Sequence, residues 1–168
     1  MNAGFRGLAW LLAGATIFIA GCAHPIRAGG QSDSKTGPWS GRLAVQVEGQ
    51  PSQSFSAAFE LRGQAPAGEL TLFTPLGGTL ASLAWTPASA VLTAANGQVR
   101  QADTVEAMVM QATGSALPVA ALFDWLAGNN TPVPGWQADL SQLDQGRLRA
   151  QRLEPPPAAD LRLVLDPR

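Results

Sequence analysis

Bond-making chemistry has little to work with in this chain. Among 168 residues there is one cysteine, Cys22, and one histidine, His24, both close to the start. No Gly-x-Ser-x-Gly elbow, phosphate-cradling glycine loop or Cys/His cluster with metal-ligand spacing can be traced. Glu48, Glu60 and Glu69 are dispersed on polar faces or ends of expected strands, where solvation is the ordinary role. No enzyme and no metal site are therefore expected. The residues that stand out are instead apolar. Glu69 to Trp85 reads as two apolar strands joined by a tight turn, with Pro75, Leu76, Gly77 and Gly78 at its tip. Turn tips are normally polar, so Leu76 is either a local packing plug or a contact for something apolar outside the protein.

Cys22 belongs to a different pattern. Arg6 supplies a thin positive region, Leu8 to Ala20 is an apolar run, and Ile19-Ala20-Gly21-Cys22 closes it with small residues. The run is shorter than the roughly 20 residues a spanning helix needs, so residues 1–21 read as a cleaved signal peptide. The four closing residues resemble the lipobox of bacterial lipoproteins. That resemblance implies a diacylglycerol on the Cys22 thiol and a further acyl chain on its amino group, with no other cofactor. The alternative is an unpaired cysteine in a leader cut elsewhere. Ala23 rather than aspartate after the cysteine implies, by the bacterial sorting rule, the outer membrane rather than the inner. His24 to Pro38 is rich in small and polar residues without apolar period, so residues 22–38 are expected to be an acylated start and a tether, with His24 solvated. Residues 39–168 are enough for one domain with a core.

Within that domain the apolar period is two, then 3.6, then two again. Leu43, Val45 and Val47 share one face of a strand over Trp39 to Glu48, and Phe55, Ala57, Phe59 and Leu61 align in the next. The hairpin around Leu76 gives two more strands, and Asn96-Gly97 joins another pair. Asp103 can cap a short helix, with Glu106 three residues on, apolar positions at Val105, Met108, Val109 and Ala112, and Gly114 as its stop. Pro118 suits the first turn of a second helix, whose apolar side is Val119, Leu122, Phe123 and Leu126 and whose end is Gly128. Alternation resumes at Trp136, Leu148 and Leu161. About nine strands and two helices with short connections predict a mainly β fold, a curled antiparallel sheet with helices over its concave face.

The net charge of −1, without a basic run, argues against nucleic acid. Four stretches, taken in order behind the lipobox, carry a resemblance: Gly41 to Val45, Leu72 to Leu80, Thr113 to Pro118, and Leu122 to Gly128. They look like the LolB family of outer-membrane lipoprotein receptors. The segment after Gly128 is shorter than that pattern leads one to expect, and Pro155-Pro156-Pro157 stands where a longer pair of strands would fall. The resemblance implies an incomplete β-barrel whose mouth is filled by helices around an apolar cavity. It also implies an outer-membrane anchor facing the periplasm. The partners implied are a LolA-like periplasmic carrier, client lipoproteins and the inner leaflet of the outer membrane. A leucine at the tip of a protruding turn serves the placement step in that family; Thr74-Pro75-Leu76-Gly77 matches it, so Leu76 inherits the role. The expected acyl-binding cavity is built from Leu43, Val45, Phe55, Phe59, Leu72, Met108, Leu122 and Leu126. A monomer is expected. The rival readings are a structural lipoprotein with a solid core, or a module that binds a glycolipid or other amphiphile without transferring it.

Overall fold

The computed structural model describes residues 37–49 and 52–167. The signal peptide, Cys22, His24 and nearly all of the expected tether lie outside the described residues. Nine strands form one antiparallel sheet: β1 (Trp39–Val47), β2 (Gln53–Gln64), β3 (Ala67–Phe73), β4 (Thr79–Thr86), β5 (Ser89–Ala94), β6 (Val99–Ala102), β7 (Trp136–Asp139), β8 (Arg147–Arg152) and β9 (Ala159–Leu165). Their order is β6-β5-β4-β3-β2-β1-β9-β8-β7, so β6 and β7 are free edges and the barrel is not closed. The first six strands are the expected meander. The last three attach to its start, because β9 pairs with β1 from Val47↔Ala159 to Gly41↔Leu165. Gly41 permits this approach: at φ 152° a Cβ there would lie 2.0 Å from the carbonyl oxygen of Val164.

Alternation sets the two faces. Val45, Val47, Ala57, Phe59, Leu61, Leu83, Trp85, Leu148, Leu161 and Leu163 point to the concave side and are buried, while residues between them face water. Helices α1 (Val105–Thr113) and α2 (Val119–Leu126) cover that concave side. The helix start differs from the expectation: Thr104, not Asp103, caps α1, its Oγ1 accepting from the Ala107 N–H at 3.1 Å. A capping oxygen must reach the third helical amide, and Asp103 lies one residue too early. Glu106 consequently falls at the second helical position, where it faces the positive end of the helix dipole rather than completing a box. Gly114 ends α1 in the left-handed conformation, as its position suggested. Pro118 precedes α2 as its cap residue, and Ala127 closes the helix one residue before Gly128, which takes φ 86°.

Rings fix the seat of α2. Phe123 meets Trp39 edge-on at 5.6 Å and Trp85 at 6.1 Å, at interplanar angles of 74° and 66°. Trp125 is buried, and its Nε1–H donates to the Thr131 carbonyl at 2.9 Å. Thr131 in turn donates through Oγ1 to Asp124 at 2.8 Å, tying the loop after α2 to the helix.

Candidate functional site

The β3–β4 turn is a three-residue loop held by its own backbone. Thr74 donates its N–H to the Gly78 carbonyl at 2.8 Å, and its carbonyl accepts from the Gly77 N–H at 2.9 Å. The Gly78 N–H adds a bond to Thr74 Oγ1 at 3.1 Å. Pro75 and Leu76 are thus the central residues of the turn, and Gly77, at φ 84°, supplies the left-handed residue that returns the chain to β4. A Cβ on Gly77 would touch nothing within 4 Å, so the demand for glycine there is one of backbone conformation rather than room. This scaffold leaves Leu76 99% exposed, which rules out the packing plug. The loop holds an apolar side chain in water on a braced hairpin.

Behind the loop lies a cavity of about 150 Å³. Its walls are Leu43 and Val45 of β1, Phe55 and Leu61 of β2, Leu70 and Leu72 of β3, Ala81, Leu83 and Trp85 of β4, and Leu92 of β5. Met108, Val109, Ala112 and Thr113 of α1, the Leu117-Pro118-Val119 connection and Leu122 of α2 cover it, and Leu161 of β9 completes the wall. The lining is aliphatic apart from Phe55, Trp85 and Thr113, and the Trp85 Nε1–H is satisfied by the Ala65 carbonyl at 2.9 Å. Such a space stays dry and offers an apolar guest contacts without direction. Phe55 is half-exposed and stands at the start of β2, so the cavity opens at the end of the sheet that also carries the Leu76 turn.

Six of the eight residues expected in the cavity meet there: Leu43, Val45, Phe55, Leu72, Met108 and Leu122. Phe59 and Leu126 do not. Phe59 is buried in solid core, and Leu126, one turn beyond Leu122, has passed the cavity and lines a separate groove with Trp39. Sequence reading missed the β4 and β5 walls and the short connection between the helices. Leu83 and Trp85 alternate in a way that marks a buried face, so they were within reach of the two-residue period; the Leu117-Pro118-Val119 connection has no periodic signal at all.

Charge is kept away from this cavity. Asp160 on the outer face of β9 accepts from Arg149 and Arg162, with Arg162 Nε at 3.0 Å. Burial pushes its carboxyl upward, but the hydrogen bonds and charges of the two guanidinium groups outweigh that and hold it down at about 2. No group of three or more metal-ligating side chains occurs among the described residues. Nor is any described helix long and apolar enough to cross a membrane.

An open sheet, an apolar cavity roofed by two helices and a leucine held out on a braced turn define a protein built to handle an apolar guest. The family model described as "Outer membrane lipoprotein LolB" matches residues 38–154, and the chain belongs to that family. Among similar proteins named outer-membrane lipoprotein LolB, that of Bordetella petrii is 36% identical, covering 90% of this chain and 88% of the relative. That of Cupriavidus pinatubonensis is 36% identical, with 85% and 70% covered. The Bordetella pertussis protein is 35% identical, with 74% and 75% covered.

Proposed function

We propose that this chain is a receptor at the outer membrane that accepts lipoproteins and passes them into that membrane, and that it is not an enzyme. The observation that carries the reading is the placement of a bare leucine turn at the same end of the sheet as the mouth of a dry cavity. Acyl chains need an apolar slot, and a route from one apolar site to the next runs downhill without a nucleotide. A LolA-like carrier would deliver the client, and Leu43, Val45, Phe55, Leu72, Met108 and Leu122 would hold its acyl chains. A cavity of about 150 Å³ is smaller than the roughly 300–1,000 Å³ of pockets that hold drug-sized ligands, so loading requires α1 or the connection before α2 to move outward. Met108, unbranched and adaptable, suits a wall that reshapes around its guest.

Leu76 would touch the bilayer only in passing. Burying one leucine contributes roughly 1.5–3 kcal/mol, far less than the acyl chains proposed on Cys22, each methylene of which adds about 0.8 kcal/mol. Such a contact disturbs the headgroups and lets go, which suits a placement step. A single copy of the chain would suffice, facing the periplasm from its anchor. The test is delivery of a labelled lipoprotein from a loaded carrier to outer-membrane vesicles. Leu76→Glu is expected to leave the labelled client bound to the receptor and absent from the vesicles, whereas equal placement by both proteins would sink the role given to Leu76. Failure of the native chain to take the client from the carrier would sink the receptor reading itself.

A further inference from the structure

The arginines of this domain are segregated. Five of the seven cationic side chains among the described residues, Arg42, Arg147, Arg149, Arg152 and Arg162, lie on β1, β8 and β9, and those three strands hold a single carboxylate, Asp160. The other described residues carry two arginines against ten carboxylates. Where β8 ends and β9 begins, a cleft of about 270 Å³ is lined by Arg149, Arg152, Arg162, Asp160, Glu48 and neighbouring residues that include Leu153.

Three features of this cleft suit an anionic lipid. On the outer face of β1, β8 and β9, Arg42, Arg147, Arg149 and Arg162 stand against Asp160 alone, an excess of positive charge that complements a phosphodiester. Arg149 and Arg162 share Asp160, so neither is fully neutralised, and about half of each side chain remains exposed. Arg152 lies on the opposite, concave face, where it stacks on Trp136 and donates to the Pro157 carbonyl at 2.8 Å, bracing the β8–β9 connection. Beside these cations Leu153 is 66% exposed. Strand directions place the β8–β9 connection at the same end of the sheet as the Leu76 turn, four inter-strand steps away, or about 19 Å along the sheet.

We propose that the β8–β9 end is a second membrane contact, in which Leu153 enters the bilayer surface while Arg149 and Arg162 engage an anionic phospholipid headgroup. The proposal rests on the reading that the chain works at a membrane, and it gives the domain a fixed orientation there. Two contacts on one rim stop the domain from pivoting about the Leu76 turn and hold the cavity mouth toward the bilayer. The arginines contribute attraction that depends on lipid charge and on salt; Leu76, with no charged neighbour in its turn, contributes neither.

The test uses the full-length acylated chain in vesicles, with an environment-sensitive fluorophore on Leu153→Cys, and in parallel chains on Leu76→Cys or on Ala88→Cys at the opposite end of the sheet. In vesicles containing phosphatidylglycerol, the label at 153 is expected to be quenched by lipid-borne quenchers, and to lose that quenching in phosphatidylcholine vesicles or in high salt. Arg149→Gln and Arg162→Gln should each lower the charge-dependent partition about five-fold. The label at 88 should stay in water throughout. A label at 153 that stays aqueous while that at 76 is quenched overturns the second contact and leaves the Leu76 role intact. Labels at both sites that stay aqueous overturn both readings. Quenching at 153 that ignores lipid charge and salt overturns the headgroup site, and protection of 153 only on adding a loaded carrier makes this a protein-docking face and overturns the proposal.

Discussion

Helices α1 and α2 lie over the same concave face, yet aromatic rings fill the space beneath Phe123 and Trp125 of α2 while the space between α1 and the sheet is hollow. Beneath α2, Phe123 sits edge-on between Trp39 and Trp85, and Trp125 is buried with its nitrogen bonded to the Thr131 carbonyl. Beneath α1, Met108 and Val109 face Leu70, Leu72, Leu83 and Leu92, and these aliphatic chains do not close the gap. Interlocked rings fill volume and fix angles, whereas a layer of leucines leaves voids that a guest can occupy. The contrast divides labour: one half holds the fold, and the other has the room that the proposed cargo would need. Trp125→Ala should therefore show the largest effect, about 3–5 kcal/mol, since it opens a hole in close-packed core and leaves the Thr131 carbonyl unpaired. Urea unfolding would measure it. Val109→Ala, beside a void that already exists, should lose about 1–2 kcal/mol. Equal losses at the two sites would erase the distinction.

The hollow half can be sharpened by filling it. Ala81→Leu adds three carbons at the cavity wall on β4. Stability should change by no more than about 1 kcal/mol, because the added volume enters empty space rather than displacing neighbours. Uptake of a fluorescent fatty-acid analogue should fall with it. A large loss of stability would mean that the cavity is already packed, and undiminished uptake would place the guest elsewhere.

The alternation of Leu43, Val45 and Val47, and of Phe55, Ala57, Phe59 and Leu61, made the strands and their buried face legible, because one period governs both. The turn around Leu76 was legible as well, because Pro75 and Gly77 dictate it whatever surrounds it, whereas the choice between a packed and a bare leucine is decided only by the fold, which leaves the side chain exposed. The insertion of β9 between β1 and β8 was not, because strand order is decided by long-range pairing, and nothing local to Leu161, Leu163 or Leu165 names a partner. The division between cavity and core failed at Phe59 and Leu126 for a related reason. Both carry the apolar pattern of a buried face, but whether a buried side chain lines a void depends on the volumes opposite it, which a single strand or helix does not encode. The helix cap missed by one residue because Asp103 and Thr104 both have suitable oxygens and only the backbone geometry at Thr104 chooses between them.

On the outer face of the sheet, along β8 and β9, charge takes the place of packing, and there the expected effect is smallest. Asp160 is held at about 2 in the folded chain against an ordinary value near 4, so between those values the unfolded chain binds the proton and the folded chain does not. The carboxylate's contribution is consequently whole above about pH 4 and fades as pH falls through about 2. Because Arg149 and Arg162 are about half exposed, solvent screens the pairs, and the contribution should be no more than about 1 kcal/mol. Urea unfolding of the native chain and of Asp160→Asn from pH 2 to pH 6 would read it as a gap that widens with pH and then levels off. A constant gap would assign the cost of the substitution to lost hydrogen bonding that does not depend on ionisation. No gap at any pH would mean that the two arginines do nothing for the fold, which frees them entirely for a ligand.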